Sequence, residues 1–145
     1  MDTPLGQEAS GLLRDIPTGI ALGEPGARQH MLDRSHADKM WKLLKKQDDV
    51  GFVIAGKLMA RKRPDLIPVW DNVVKCAFGR PPNAWLWLDE LISHPDGAVK
   101  AQLDKLHQAA HLSELVSRIR VLDVVVWMRH HHEHRSSRCP GLGAA

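Results

Sequence analysis

Cysteine is nearly missing from this sequence of 145 residues, which holds only Cys76 and Cys139. Two cysteines are too few for a disulfide-stapled scaffold, a four-cysteine zinc site or an iron–sulfur cluster. Tyrosine is absent and phenylalanine occurs twice, against five tryptophans, an aromatic set for which composition gives no reason. Long hydrophobic runs are also lacking. The longest apolar stretch, near Val121 to Met128, falls far short of the roughly 20 residues a bilayer-spanning helix needs, so no membrane span is expected. Met1 to Ser10 show neither a basic region nor an apolar one. No secretory signal is read there, and a cytoplasmic protein is expected, in keeping with the few cysteines.

The chain that remains is an ordinary one in bulk: 16.2 kDa, 43% hydrophobic and 26% charged, enough for one domain with one core. Its net charge of +3 is mild, but the placement is uneven. Between Arg34 and Lys75 stand ten basic residues against five acidic ones, so this stretch carries +5 and the rest sums to −2. An asymmetry of that kind suits an anionic partner such as a phosphate backbone, although a solvated helix face accounts for a basic run more often than not.

Glycine and proline punctuate the chain at Pro17 to Gly26, Arg80 to Asn83, His94 to Gly97 and from Ser136 onward, which reads as loops. Between them the apolar spacing is helical, with no alternating run long enough for a strand, so the fold class is all-α, a single-domain helical bundle. Residues 1–34 are expected to form a weakly structured segment packing on the core, 35–133 the helical core domain, and 134–145 a flexible tail. The first strong helix runs from Ser35, an N-cap candidate, to about Gln47, with Ala37, Met40, Trp41 and Leu44 on one face. After Asp48-Asp49-Val50-Gly51 the periodicity resumes from Phe52 to Arg63, giving helix, tight turn, helix. Pro68 is expected to open a third helix that Gly79 ends, and a fourth follows Asn83. A fifth is read from Val99 to about Ala110, and a long last one from Ser113 to about His132. Asp123 in that last helix is a buried-carboxylate candidate, expected to pair with one of Arg61 to Arg63.

The stretch Lys46 to Lys75 resembles the helix-hairpin-helix DNA glycosylase superfamily. Val50-Gly51 and Ala55 stand where that motif has G-V-G-x-x-x-A, and Pro68-Val69-Trp70-Asp71 resembles the segment carrying the superfamily's aspartate. The adenine-specific branch is similar through Val50-Gly51, Ala55-Gly56 and Pro68 with Asp71. The resemblance implies a hairpin that holds a DNA phosphate on the backbone amides after Gly51, at Phe52 and Val53, with Lys45, Lys46, Lys57, Arg61, Lys62 and Arg63 supplying positive charge. A turn that leads into a helix N-terminus can do this without reading bases. It also implies Asp71 as a candidate catalytic carboxylate for breaking an N-glycosidic bond. Against that role, Asp71 reads as an acid in a first helical turn, able to pair with Lys75 at i+4.

Asp49 replaces the motif's first glycine, Val53 stands where lyase-competent members carry lysine, and only about 47 residues precede the hairpin to build a base-extrusion pocket. Over Trp41 to Arg129 the chain is also similar to an uncharacterised actinobacterial family of unknown function. That likeness is carried by Ala55-Gly56-Lys57-Leu58-Met59-Ala60-Arg61-Lys62-Arg63-Pro64, by Leu66 to Asp71 and by Arg120 to Met128. The function expected is non-enzymatic, largely sequence-independent DNA binding. The alternatives are a monofunctional glycosylase-like enzyme using Asp71 and a protein-interaction module, with a protein partner or homo-oligomer, using Trp85 or Trp87. No cofactor or metal is expected. His130 and His134 would share a helix face at i, i+4, but with His131 and His132 they lack the H-E-x-x-H spacing of a zinc helix and read as a solvated or adventitiously metal-binding tail, and His107 with His111 as a polar helix face.

Overall fold

The computed structural model describes residues 3–134, and among them every regular element is a helix. The helices are α1 (Pro4–Asp15), α2 (His36–Lys45), α3 (Phe52–Lys62), α4 (Asn72–Ala77), α5 (Ala84–Ile92), α6 (Ala98–Ala109) and α7 (Arg118–His130), with a short 3-10 helix at Arg28–Met31. The all-α bundle read from the apolar spacing is therefore the architecture found. None of these helices is long and apolar enough to cross a membrane. Apart from His134, the expected tail lies outside the described residues, as does Cys139.

Local chemistry explains most of the boundaries. Side chains of Thr3, Ser35, Asp71, Asn83 and Ser117 accept hydrogen bonds from first-turn amides of α1, α2, α4, α5 and α7, each satisfying a donor that the helix leaves unpaired. These caps correct two expected starts. Pro68 opens no helix: residues 68–70 have no regular structure and Asp71 caps α4 instead. The last helix begins at Arg118 rather than Ser113, since Ser117 is its cap and the preceding residues form a turn.

The core gathers Met40 of α2, Met59 of α3, Val74 of α4, Leu88 and Ile92 of α5 and Ile119 and Val126 of α7. Residues before α2 join the same core through Ile16, Leu22, Ala27 and Met31. Three long-range ties fix that N-terminal segment. The Arg63 guanidinium donates to the carbonyls of Leu13 and Ile16, the latter at 2.7 Å. The Leu22 amide donates to the Asp65 carbonyl at 2.9 Å. The Gly23 amide donates to Oδ1 of buried Asp89 at 2.9 Å, with Arg28 3.9 Å from the other carboxylate oxygen. Gly23 has a φ of 87°, and a Cβ there would stand 2.4 Å from Ile92 Cγ2, so only glycine fits.

The two tryptophans of α5 diverge as their spacing requires. Trp85 meets the edge of Trp41, at 6.4 Å between centroids, while Trp87 packs on Phe78 and Trp70. His107 is no part of a polar face. It is buried, and its Nε2 lies 3.1 Å from the Ser113 carbonyl and 2.9 Å from that of Val116, pinning the turn before α7.

Candidate nucleic-acid interface

α2 and α3 pack together across the turn 46–51. Within that turn Asp49 has a φ of 62°, a left-handed conformation that aspartate tolerates better than most residues and glycine best. Asp49 thus supplies, at some backbone cost, the geometry that a glycine would supply freely. Gly51 follows as the N-cap of α3 in an extended conformation and makes no side-chain capping bond. It is exposed, with open space where a Cβ would stand. The first amide of α6 is met by Asp96, and five further helices have side-chain caps. The start of α3 therefore differs from the others in leaving its amides, beginning with Phe52 and Val53, to an outside acceptor.

Beside this terminus lies a groove of about 440 Å³ lined by Trp41, Phe52, Trp70 and Trp85, together with Gly56, Lys45 and Lys75. The Lys45 ammonium sits 4.3 Å from the centre of the Trp41 ring, one helical turn away on α2, and Lys75 sits 5.1 Å from that of Phe52. Sequence reading placed Trp41 on the core face and missed the groove. The Trp41/Lys45 spacing of i, i+4 was the available signal. Its acidic side, Asp33 and Asp38, is tied to Lys42 at 2.9 and 2.7 Å. These bonds hold the Asp33 carboxyl below, and the Lys42 ammonium above, their ordinary ranges.

A neighbouring stripe of α3 faces a second groove of about 490 Å³, which Lys57 and Arg61 share with Arg120 and Asp123 of α7. Asp123 is buried, as its place in an apolar helix suggested, but its partner is Arg120 at 2.6 Å, not one of Arg61 to Arg63. Arg120 lies one turn before it on the same helix, nearer than any residue of α3 need come. Burial raises the Asp123 carboxyl above its usual value and the Asp71 charge adds to that, while Arg120 and Lys57 oppose it.

The proposed site residues therefore divide. Lys45, Lys46, Gly51, Lys57, Arg61 and Lys62 are exposed, and Phe52 and Val53 are half-buried at the start of α3. Arg63 turns inward, its donors spent on the carbonyls of Leu13, Ile16 and Lys62. Asp71 lines neither groove. Its Oδ1 accepts the amides of Val73 and Val74 at 3.0 and 2.9 Å, which is the work of an N-cap, and Lys75 lies over Phe52 instead of forming the expected i+4 contact.

Residues 3–130, nearly the whole described chain, match the model of a family described as "Family of unknown function (DUF6308)". The chain belongs to the DUF6308 family. No curated protein and no solved structure matches it. The DUF6308 match runs through α1 and ends at the last residue of α7, so the hairpin, both grooves and the N-terminal ties fall inside one family unit.

Proposed function

We propose that this DUF6308 protein binds nucleic acid without catalysis, through the start of α3 and the aromatic groove beside it. The observation that carries this reading is the uncapped, exposed N-terminus of α3 next to a groove with aromatic walls and lysine sides. A phosphate accepts hydrogen bonds from the amides of Phe52 and Val53 and gains from the helix dipole. An unpaired base or a chain end stacks on the indole faces of the groove, which every base can do, so sequence preference is weak. Lys45, Lys46, Lys57, Arg61 and Lys62 supply the surrounding positive charge, and Arg63 is left out because its donors serve α1. Asp48 and Asp49 oppose the attraction and keep it moderate. The capping role of Asp71, whose carboxylate is committed to two amides, favours binding over glycosidic chemistry.

The test is fluorescence anisotropy with single-stranded, nicked and duplex DNA over a salt series. Affinity is expected to fall linearly on logarithmic axes, by a slope of about 0.7 to 0.9 for each phosphate engaged. Lys45→Glu with Lys46→Glu, and separately Lys57→Glu with Arg61→Glu, weaken binding and flatten that slope. Undetectable binding at low salt, or binding that ignores both double variants, refutes the reading.

A further inference from the structure

The histidines at the end of α7 were expected to form a solvated tail, which holds for exposed His132 but not for His130. His130 is fully buried. His134 follows one turn later, its amide donating to the His130 carbonyl at 2.9 Å, so the two side chains share a face at i, i+4. Facing them from α4, which packs against α7, is Cys76, also fully buried. One ligand atom from each of Cys76, His130 and His134 can be chosen so that all three lie within 4.8 Å of one another. The Nδ1 atom of His134 is buried and has no hydrogen-bond partner among the described residues. A polar atom in that condition costs free energy that a Lewis acid would recover.

We propose that Cys76, His130 and His134 bind a zinc ion that fastens the end of α7 to α4. The donor set decides the metal: one thiolate and two imidazoles suit zinc, whereas calcium and magnesium want oxygen. The spacing suits it as well. Donor atoms around a tetrahedral zinc stand about 3.5 Å apart, given bond lengths of about 2.0 to 2.3 Å. The separations here, none above 4.8 Å, exceed that by at most about 1.3 Å, a gap that side-chain rotation closes. The fourth position is open to a further donor.

Cys76 is disulfide-bonded in this structure, so zinc belongs to the reduced chain. A small-molecule dithiol delivers two electrons and two protons to the disulfide and becomes a cyclic disulfide itself. The Cys76 thiol then loses its proton as its sulfur binds the ion. Disulfide and zinc thus exclude one another at Cys76. This site is separate from the α3 interface, and neither proposal depends on the other.

The experiment uses the full chain, prepared without a polyhistidine tag and with a dithiol present. Metal content is measured after dialysis, and cobalt is then substituted for zinc. One zinc per chain and a sulfur-to-cobalt charge-transfer band are expected. Cys76→Ser abolishes the band, and Cys76→Ser and His134→Asn each weaken zinc binding at least about tenfold. His131→Asn with His132→Asn, which alters the neighbouring histidines, leaves both readouts unchanged. A wild-type chain that holds no zinc, or that gives no charge-transfer band with cobalt, overturns the proposal whatever the folding of the variants. So does zinc content that survives Cys76→Ser or falls with the His131/His132 pair.

Discussion

Replacing Arg63 separates a structural cation from a binding one. Its guanidinium donates from Nε to the Ile16 carbonyl at 2.7 Å, from one terminal nitrogen to the Leu13 carbonyl and from the other to the exposed Lys62 carbonyl at 2.7 Å. The first two acceptors lie at the C-terminal end of α1, where the Leu13 carbonyl accepts only a long bond from the Ile16 amide, at 3.3 Å, besides the guanidinium. A hydrogen bond to a charged donor contributes about 1.5 to 3 kcal/mol when well buried. Two such bonds at a half-buried position, with the Lys62 contact counted as zero, give about 2 to 3 kcal/mol after a discount for solvent. Arg63→Met keeps the apolar stem, so the loss falls on these bonds, and the melting temperature is expected to drop by about 6 to 9 °C. Arg63→Lys, with a single ammonium in place of a planar fork, recovers part of that. Urea unfolding followed by circular dichroism reads the change as a lower midpoint at unchanged slope. Arg61→Met, on an exposed residue two positions earlier in the chain's basic run, changes stability by less than about 0.5 kcal/mol. If Arg63→Met lies within that same margin, the clamp on α1 has no energetic weight and the reasoning fails.

Two further outcomes follow from buried contacts. Gly23→Ala puts a Cβ 2.4 Å from Ile92 Cγ2 at a φ of 87°, and left-handed strain with overpacking costs about 2 to 4 kcal/mol, measured by the same urea titration. A loss below about 1 kcal/mol would mean that the loop relaxes freely, contrary to its tie to Asp89. Asp123 has its folded carboxyl raised above the ordinary 3.8 by burial. The folded state then binds its proton more tightly than the unfolded one, so the stability this gives is present below 3.8 and is lost as pH rises through the raised value. Asp123→Asn removes that dependence, so wild type loses ground to the variant as pH climbs from the acid side. A stability difference that is flat with pH, or that runs the other way, contradicts the burial argument.

Much of the helical layout was legible because it rests on local chemistry. Ser35 before an amphipathic run and Asn83 before α5 are caps that the sequence displays directly, and Gly51 announces the start of α3. Proline was the misleading signal. Pro68 suits a first helical turn, but the competing cap at Asp71 prevailed, and its two short bonds to Val73 and Val74 took away the residue that had looked most chemical. What could not be read were pairings between distant positions. Arg63 looked like one more residue of a basic cluster because its acceptors are backbone carbonyls, which every residue has and no sequence marks. The His130 face was hidden for a related reason. Its neighbour Cys76 stands on another helix, and only the packing of α4 on α7 brings a lone thiol to a run of histidines. The Trp41 groove combines both cases, a local i, i+4 pair that was readable and two tryptophans from elsewhere that were not.

The three ties that hold the N-terminal segment also set an order of events during synthesis. Their partners lie 47 and 50 residues downstream for the Arg63 bonds and 66 downstream for Asp89. This segment is therefore made before any of those partners exists. At about 5 to 20 residues per second, Gly23 waits roughly 3 to 13 s for its acceptor to be made. Through that interval Ile16, Leu22 and Met31, all interior in the finished fold, have no core to enter. A stretch that cannot complete its own contacts therefore stands exposed on the nascent chain for that interval, open to a chaperone or a protease until Asp89 has been made.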